Sequence, residues 1–117
     1  MSHGDRGKQG RHLASFALLL LAEHPSHGLA LHKDINALLP EGLQVDAGNL
    51  YRLLREMETR GAVVSDWHTE SAGPARRIYR ITEQGYSELA EWRDDIAKRR
   101  KAFDLFLNRY ESLRRSL

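Results

Sequence analysis

The feature that most constrains the fold is an apolar repeat in the last third of the chain. Apolar side chains recur there at every seventh position, with a second set at the complementary positions between them. The first set is Leu89, Ile96, Phe103, Tyr110 and Leu117, and the second is Trp92, Phe106 and Leu113. This heptad spacing is typical of a helix that packs along a seam against another helix. Only Arg99 interrupts the seam.

The same segment predicts one long helix. Thr82 can cap its first turn, and no proline follows before about Arg115. Such a helix is about 50 Å long, which exceeds the small domain that it leaves. Its outer half therefore needs a partner, and the simplest partner is the same helix of a second chain. We predict a homodimer whose interface contains Leu89, Trp92, Ile96, Phe103, Phe106, Tyr110 and Leu113.

Two helices are predicted near the start of the chain. Residues 13–22 form a nearly continuous apolar run that stops before Pro25, which indicates a mostly buried first helix. A second helix is predicted at about residues 27–39, with Ser26 as its cap. Its inner face is expected to carry Leu31, Ile35 and Leu38.

A third helix and a hairpin follow. Asp46 can accept a hydrogen bond from the free amides at the start of this helix, and Gly61 ends it. Residues 62–69 and 76–81 are rich in β-formers and flank a turn at residues 71–74, which predicts the hairpin. We expect Trp67 to be a core residue or a hairpin anchor. The inner stripe of the third helix is Leu50, Leu53, Leu54 and Met57.

These elements predict a mainly α-helical chain with a small β-hairpin. The order helix, helix, helix, hairpin is that of a winged helix-turn-helix, whose third helix enters the major groove of DNA. We predict an N-terminal flexible arm at residues 1–10, a winged-helix DNA-binding domain at residues 11–82 and a C-terminal dimerisation helix at residues 83–117.

Composition argues against several other classes of protein. The 117 residues include no cysteine, which excludes thiolate metal sites and disulfides and fits a reducing compartment such as the cytoplasm. The apolar run at residues 13–22 is about half as long as a membrane span. The six histidines lack metal-binding spacing, and no phosphate loop or nucleophile elbow is present. We predict no metal, no cofactor, no membrane segment and no enzymatic activity.

Polar residues on the outer face of the third helix are candidates for contact with double-stranded DNA. Arginine and asparagine can hydrogen-bond to base edges, and tyrosine can bind phosphate. On the hairpin, Arg76 and Arg77 are placed to reach phosphates or a minor groove. Acidic residues balance the arginines of the third helix, so an alternative interpretation is an adaptor that binds protein instead of DNA. The candidates on the third helix are Asn49, Tyr51, Arg52 and Arg55.

Several short motifs together resemble the PadR-like transcription regulators, and the likeness covers roughly residues 13–95. The motifs are Pro25-Ser26-His27-Gly28, then Gly48-Asn49-Leu50-Tyr51-Arg52-Leu53-Leu54, then Gly61 with Trp67 six residues later, and finally Gly73-Pro74-Ala75-Arg76-Arg77-Ile78-Tyr79-Arg80-Ile81-Thr82-Glu83-Gln84-Gly85. The chain resembles the short subfamily with a single C-terminal helix. The resemblance implies a dimeric winged helix that binds DNA and often senses an aromatic or drug-like compound. Asn49 departs from the family pattern, where threonine is usual.

The resulting hypothesis is a sequence-specific regulator, and more narrowly a repressor, that binds an inverted-repeat operator as a homodimer. We also predict a pocket for a small aromatic effector at the dimer seam, bounded by Trp92, Ile96 and Arg99. An indole beside a guanidinium suits a flat, acidic aromatic compound. Arg99 needs a partner, which can be Asp95 one turn earlier, an acid across the dimer or a bound anion.

Overall fold

The computed structural model describes residues 12–69 and 73–116. This part of the chain is mostly helical, with a small antiparallel sheet and a long last helix, so the predicted winged-helix fold class is confirmed. The predicted N-terminal arm lies outside the described residues. The elements are α1 (Leu13–Glu23), β1 (Ser26–His27), α2 (Gly28–Leu38), α3 (Ala47–Thr59), β2 (Val63–His68), β3 (Arg76–Ile81) and α4 (Glu83–Ser116).

Helix α1 lies at the centre of the hydrophobic core. It contacts α2, α4 and β3 on different sides, which explains why nearly every residue of the run at 13–22 is apolar. The predicted buried first helix is therefore confirmed. Within the described ranges, no helix combines the length and the apolar character that a bilayer crossing requires. The largest fully buried side chains are Leu18, Leu21, Leu31, Ile35, Leu50, Leu54, Met57 and Val63.

Local chemistry fixes both ends of α3, as predicted. The carboxylate of Asp46 accepts a hydrogen bond from the backbone N–H of Asn49 at 2.7 Å. After the helix, Gly61 has a φ of 88°, a left-handed conformation that glycine adopts without strain. Leu50, Leu54 and Met57 face the core.

The start of α2 differs from the prediction. Ser26 is not its cap but part of β1, where it pairs with Tyr79. The cap is His27, whose ring Nδ1 accepts a hydrogen bond from the N–H of Ala30 at 3.3 Å. At the other end of α2, Leu38 is 55% exposed, and Leu39 packs against the core instead.

The sheet has the strand order β1-β3-β2, with β2 and β3 forming the predicted hairpin. We call this hairpin the wing. Because successive side chains of a strand point to opposite faces, Tyr79 and Arg77 lie on the core-facing side and Arg76 lies on the outer side. Trp67 is 63% exposed, so a core role for it is wrong.

Helix α4 begins at a tightly packed joint. The Oγ1 of Thr82 accepts a hydrogen bond from the N–H of Gly85 at 3.1 Å, which is the predicted cap. A side chain at Gly85 would collide with the carbonyl oxygen of Ala62. The guanidinium of Arg60, just after α3, binds the carboxylate of Glu88 on α4 at 2.8 Å. From residue 100 to residue 116, every residue of α4 is exposed.

Candidate nucleic-acid interface

The outer face of α3 presents three polar side chains side by side. Arg52 and Arg55 are exposed, and Asn49 is half-buried. The Oδ1 of Asn49 accepts a hydrogen bond from Nη2 of Arg52 at 2.7 Å. A guanidinium offers five N–H groups, so this bond orients Arg52 and leaves donors for a second partner. Such a pair can hydrogen-bond to the edges of guanine and adenine in a major groove.

Tyr51 joins α3 to the start of α2. Its half-buried ring fills the space into which a side chain at position 28 would project, so only Gly28 fits beside it. Of the four polar residues predicted on α3 to contact DNA, Tyr51 therefore also holds the helix-turn-helix joint together.

Arg77 is fixed on the core-facing side of the wing. Its Nε donates a hydrogen bond to Oγ of Ser65 at 2.7 Å, and an Nη lies 3.7 Å from the carboxylate of Glu58. Its guanidinium also lies 5.4 Å from the centre of the exposed Trp67 ring. Glu58 belongs to the last turn of α3, so these contacts tie the wing to that helix and offset part of the charge of Arg77.

Arg76 has different neighbours on the outer face. Its Nη1 lies 2.8 Å from Nε2 of His27, and no carboxylate among the described residues forms an ion pair with it. His27 belongs to the sequence motif at residues 25–28 but was not among the predicted DNA contacts. The contact depends on the pairing of β1 with β3, which brings together residues 49 positions apart in the chain.

Two titratable groups near this surface have raised pKa values. Burial raises the pKa of Tyr79 on β3, while the charge of Arg77 opposes that shift. The hydrogen bond to Glu88 raises the pKa of Arg60, the residue that follows α3, while burial opposes that shift. Among residues 12–69 and 73–116, no group of three or more histidine, aspartate or glutamate side chains could hold a metal ion.

The fold and the α3 face agree with a match to a known protein family. Residues 17–91, more than half of the chain, match the sequence model of the transcriptional regulator PadR-like family. The chain belongs to this family. Its members are transcriptional regulators and not enzymes, which confirms the predicted family and the predicted class of protein.

Several solved structures resemble this PadR-like chain. A conserved protein of unknown function, described as a potential transcriptional factor, is 34% identical over 89% of this chain and 91% of its own, with a TM-score of 0.77. A PadR-like transcriptional regulator from Bacillus cereus is 23% identical over 88% of this chain and 96% of its own, with a TM-score of 0.73. PadR from Bacillus subtilis, solved with operator DNA, is 20% identical over 70% of this chain and 46% of its own, with a TM-score of 0.63. The last two likenesses show the fold alone. No protein of curated function matches the sequence.

The distal half of α4 in this PadR-like regulator carries an exposed apolar stripe. Phe103, Phe106, Tyr110 and Leu113 lie on one side of the helix, and the rings of Phe106 and Tyr110 stack with their centres 6.5 Å apart. The earlier part of the predicted seam behaves differently, because Leu89 and Trp92 pack partly against the core of their own chain. Nothing within the described residues covers the distal stripe.

An apolar groove of about 710 Å³ lies between α1 and α4. Trp92 and Ile96 line it, together with Phe16 of α1. The basic residues along this groove are Arg93, Arg100 and Lys101. Two of the three residues predicted to bound an effector pocket are therefore together here.

Arg99, the third of them, lines a different groove of about 480 Å³. This second groove is acidic, with Glu88, Glu91 and Asp95 along it, and Trp92 separates it from the first. The Nε of Arg99 donates a hydrogen bond to the carboxylate of Asp95 at 2.8 Å, which is the partner one turn earlier. Within one chain, Ile96 and Arg99 consequently line different grooves, and Trp92 lines both.

Proposed function

We propose that this PadR-like regulator is a cytoplasmic, homodimeric repressor that binds double-stranded DNA at an inverted-repeat operator. The observation that carries the proposal is the polar face of α3 in a winged helix, where Arg52 and Arg55 are exposed and the half-buried Asn49 accepts a hydrogen bond from Arg52. The solved complex of Bacillus subtilis PadR with operator DNA supports the choice of DNA as the partner.

Base reading is assigned to Arg52 and Asn49. A guanidinium pairs with O6 and N7 of guanine and a carboxamide with N6 and N7 of adenine, each pair being worth about 1–3 kcal/mol of discrimination. Arg55 lies three residues after Arg52 and therefore faces the same groove. Tyr51, Arg76 and Arg77 are assigned to phosphates, which position a protein on DNA without reading its sequence.

The distal stripe of α4 is assigned to contact with a second copy. Four large apolar side chains exposed along one helix form a patch that monomeric proteins rarely leave in water. A two-fold dimer presents two α3 helices to half-sites about one turn of DNA apart, so its operator is an inverted repeat. A dimer seated on such a site at a promoter blocks access of the polymerase, which is the basis for proposing repression.

A DNA-binding assay tests this function. An operator is selected from random duplexes, and fluorescence anisotropy then measures binding to it and to a scrambled duplex at two salt concentrations. We expect tighter binding to the operator and a steep fall in affinity with salt, because each neutralised phosphate releases counterions. Absence of DNA binding would favour the protein-binding adaptor, for which the balance of Arg52 and Arg55 by Glu56 and Glu58 is the argument.

We also propose that a small aromatic effector binds in the groove at Trp92 and Ile96. Lys101 is the basic residue of this groove for which the described residues show no ion pair, whereas Arg93 lies 3.1 Å from Asp94 and Arg100 lies 3.9 Å from Asp104. Arg99 is paired with Asp95 in the neighbouring groove. Trp67→Phe leaves Trp92 as the only indole of the chain. Saturable quenching of its fluorescence by aromatic acids is expected, and a flat response across a broad panel would contradict this assignment.

A further inference from the structure

His27 and Arg76 meet beside the polar face of α3. The Nε2 of His27 lies 2.8 Å from Nη1 of Arg76, while Nδ1 of the same ring accepts the N–H of Ala30 at 3.3 Å. Tyr51 of α3 packs against Gly28, the residue that follows His27. The histidine and the arginine therefore adjoin the surface assigned above to DNA.

A neutral imidazole cannot satisfy both of its contacts. It has one N–H donor and one acceptor nitrogen, whereas both of its neighbours are donors. When Nδ1 accepts from Ala30, the proton is on Nε2 and points towards the guanidinium of Arg76. When Nε2 accepts from Arg76, Nδ1 carries the proton and the cap of α2 is lost. In either tautomer, two N–H donors therefore face each other at one of the ring nitrogens. An acceptor placed between Nε2–H and the guanidinium satisfies both donors and keeps the cap of α2.

We propose that this acceptor is a phosphate of the DNA backbone. In the complex, Nε2–H of His27 and the guanidinium of Arg76 both donate hydrogen bonds to one phosphate group, while Nδ1 continues to cap α2. The inference rests on the proposed function, because it requires that the protein binds DNA. It adds His27, which was not a predicted DNA contact, to the residues that hold the duplex.

The charges on the outer face of the sheet favour an anion at this point. Arg76 has no carboxylate partner among the described residues, and its cross-strand neighbour on β2 is His68. The acid on this face of β2, Asp66, lies 3.6 Å from Arg80 and is engaged there. Arg77 differs, because Glu58 already lies close to its guanidinium.

Four variants test the proposal in the full chain. His27→Asn keeps a side chain that can cap a helix but lacks Nε2. Arg76→Gln removes the charge, and a third variant combines both changes. The matched control is His24→Asn, an exposed histidine whose ring contacts the carbonyl of the adjacent Pro25. Thermal unfolding of each variant checks that the winged-helix domain remains folded.

Binding to the selected operator and to a scrambled duplex is then measured by fluorescence anisotropy. Each single variant is expected to lower the affinity for both duplexes by about tenfold, because hydrogen bonds to a charged group are stronger than those between neutral groups. The fold loss of affinity in the double variant should be smaller than the product of the two single losses, since both residues hold one phosphate. The control should match the wild type. A loss confined to the operator would overturn the proposal, because phosphate contacts do not depend on sequence.

Nitrogen NMR of the imidazole distinguishes direct contact from mere support of Arg76. In the DNA complex, Nε2 of His27 is expected to carry a proton. An unprotonated Nε2 in the complex would mean that His27 only accepts from Arg76, and the phosphate assignment would be wrong. If the wild type binds no duplex, the proposed function fails. If the wild type binds and His27→Asn binds equally well, only this inference fails.

Discussion

Gly85 occupies a site in the first turn of α4 where no β-carbon fits. The carbonyl oxygen of Ala62 and the side chain of Ile81 lie where a β-carbon would project, and a backbone carbonyl cannot rotate away. We expect Gly85→Ala to lower the free energy of unfolding by about 1–3 kcal/mol. Urea unfolding followed by circular dichroism measures this loss.

The matched control is Gly48→Ala at the exposed start of α3. A β-carbon there meets only Asp46, whose Oδ1 is 3.7 Å away. Alanine is the better helix former, so this variant should be neutral or more stable by up to about 1 kcal/mol. Similar losses for the two variants would contradict the packing described for Gly85.

Arg52 carries the prediction for base reading. Arg52→Ala should reduce the preference for the operator over a scrambled duplex by about 1–3 kcal/mol, because a lost base contact affects only the cognate sequence. Arg109→Ala, which removes the same charge from the exposed distal part of α4, should leave this preference unchanged. Anisotropy titrations with both duplexes provide the measurement. An equal loss on both duplexes would assign Arg52 to phosphate instead.

The raised pKa of Tyr79 predicts a loss of stability in alkaline solution. Burial raises its pKa in the folded protein above the unfolded value of about 10. The folded state therefore holds the phenolic proton more tightly, and the free energy of unfolding should fall as the pH rises above about 10. The free energy of unfolding of Tyr79→Phe should fall less over the same pH range. Tyr86→Phe changes an exposed tyrosine, so its stability should follow that of the wild type. Urea midpoints measured on both sides of pH 10 decide the matter.

At the residue scale, the sequence predicts best where the chemistry is local. Asp46 and Thr82 cap helices by accepting from amides three residues later, and both caps were predicted from residue type and position. His27 could not be predicted, since its role depends on a strand pairing that the sequence does not reveal. The same limit applies to Arg76 and Arg77, which were predicted together but lie on opposite faces of the wing.

The distal half of α4 yields a prediction at the scale of one element. Phe106 and Leu105 are neighbours with similar exposures of 66% and 58%, but they lie roughly 100° apart around the helix. Phe106→Glu should weaken dimerisation, because it places a charge in the stripe. Leu105→Glu should leave assembly unchanged, because that face points away from the stripe. Sedimentation velocity at several concentrations separates the two, and equal behaviour would place the interface elsewhere.

Periodicity explains which elements could be predicted. The heptad spacing of α4 and the β-rich segments of the wing are long enough to show their pattern, and both elements are present. Strand β1 has only two residues, too few for any alternation, so the third strand of the sheet was missed. Its absence from the prediction led to Ser26 being assigned as the cap of α2 in place of His27.

At the scale of the whole molecule, removal of the distal helix separates folding from assembly. Deletion of the chain from Lys98 onward removes the exposed stripe but retains Leu89 and Trp92, which pack against the core. The shortened protein should still show the circular dichroism of a folded winged-helix domain. It should also become monomeric. Its affinity for a two-fold operator should fall strongly, because one half-site contact replaces two. Sedimentation and anisotropy test both points, and a dimeric deletion variant would refute the assignment of the stripe.

The arrangement of elements determined how much of the candidate site was predictable. The polar face of α3 follows from helical spacing alone, and Asn49, Arg52 and Arg55 do lie together. The residues of the predicted pocket, Trp92, Ile96 and Arg99, also lie on one stripe of a helix, yet Ile96 and Arg99 of one chain line different grooves. Helix α1 packs beside α4 at this point, so Ile96 faces one groove and Arg99 the other. Sequence spacing cannot show where a neighbouring helix will lie.

The close fit at Gly85 gives α4 the properties of a lever arm. The helix runs without a break from this joint to Ser116, so a tilt of about 5° at its root moves its far end by about 4 Å. In the proposed dimer the same relation holds in the opposite direction, from the far end of α4 to its root. We expect a shift of a few ångströms between the distal stripes to be accompanied by a small rotation of each winged-helix domain, because Gly85 packs directly against the carbonyl of Ala62 at the root of α4. We therefore expect the spacing of half-sites that the proposed dimer accepts to depend on side chains of the distal stripe, which lie far from any base pair.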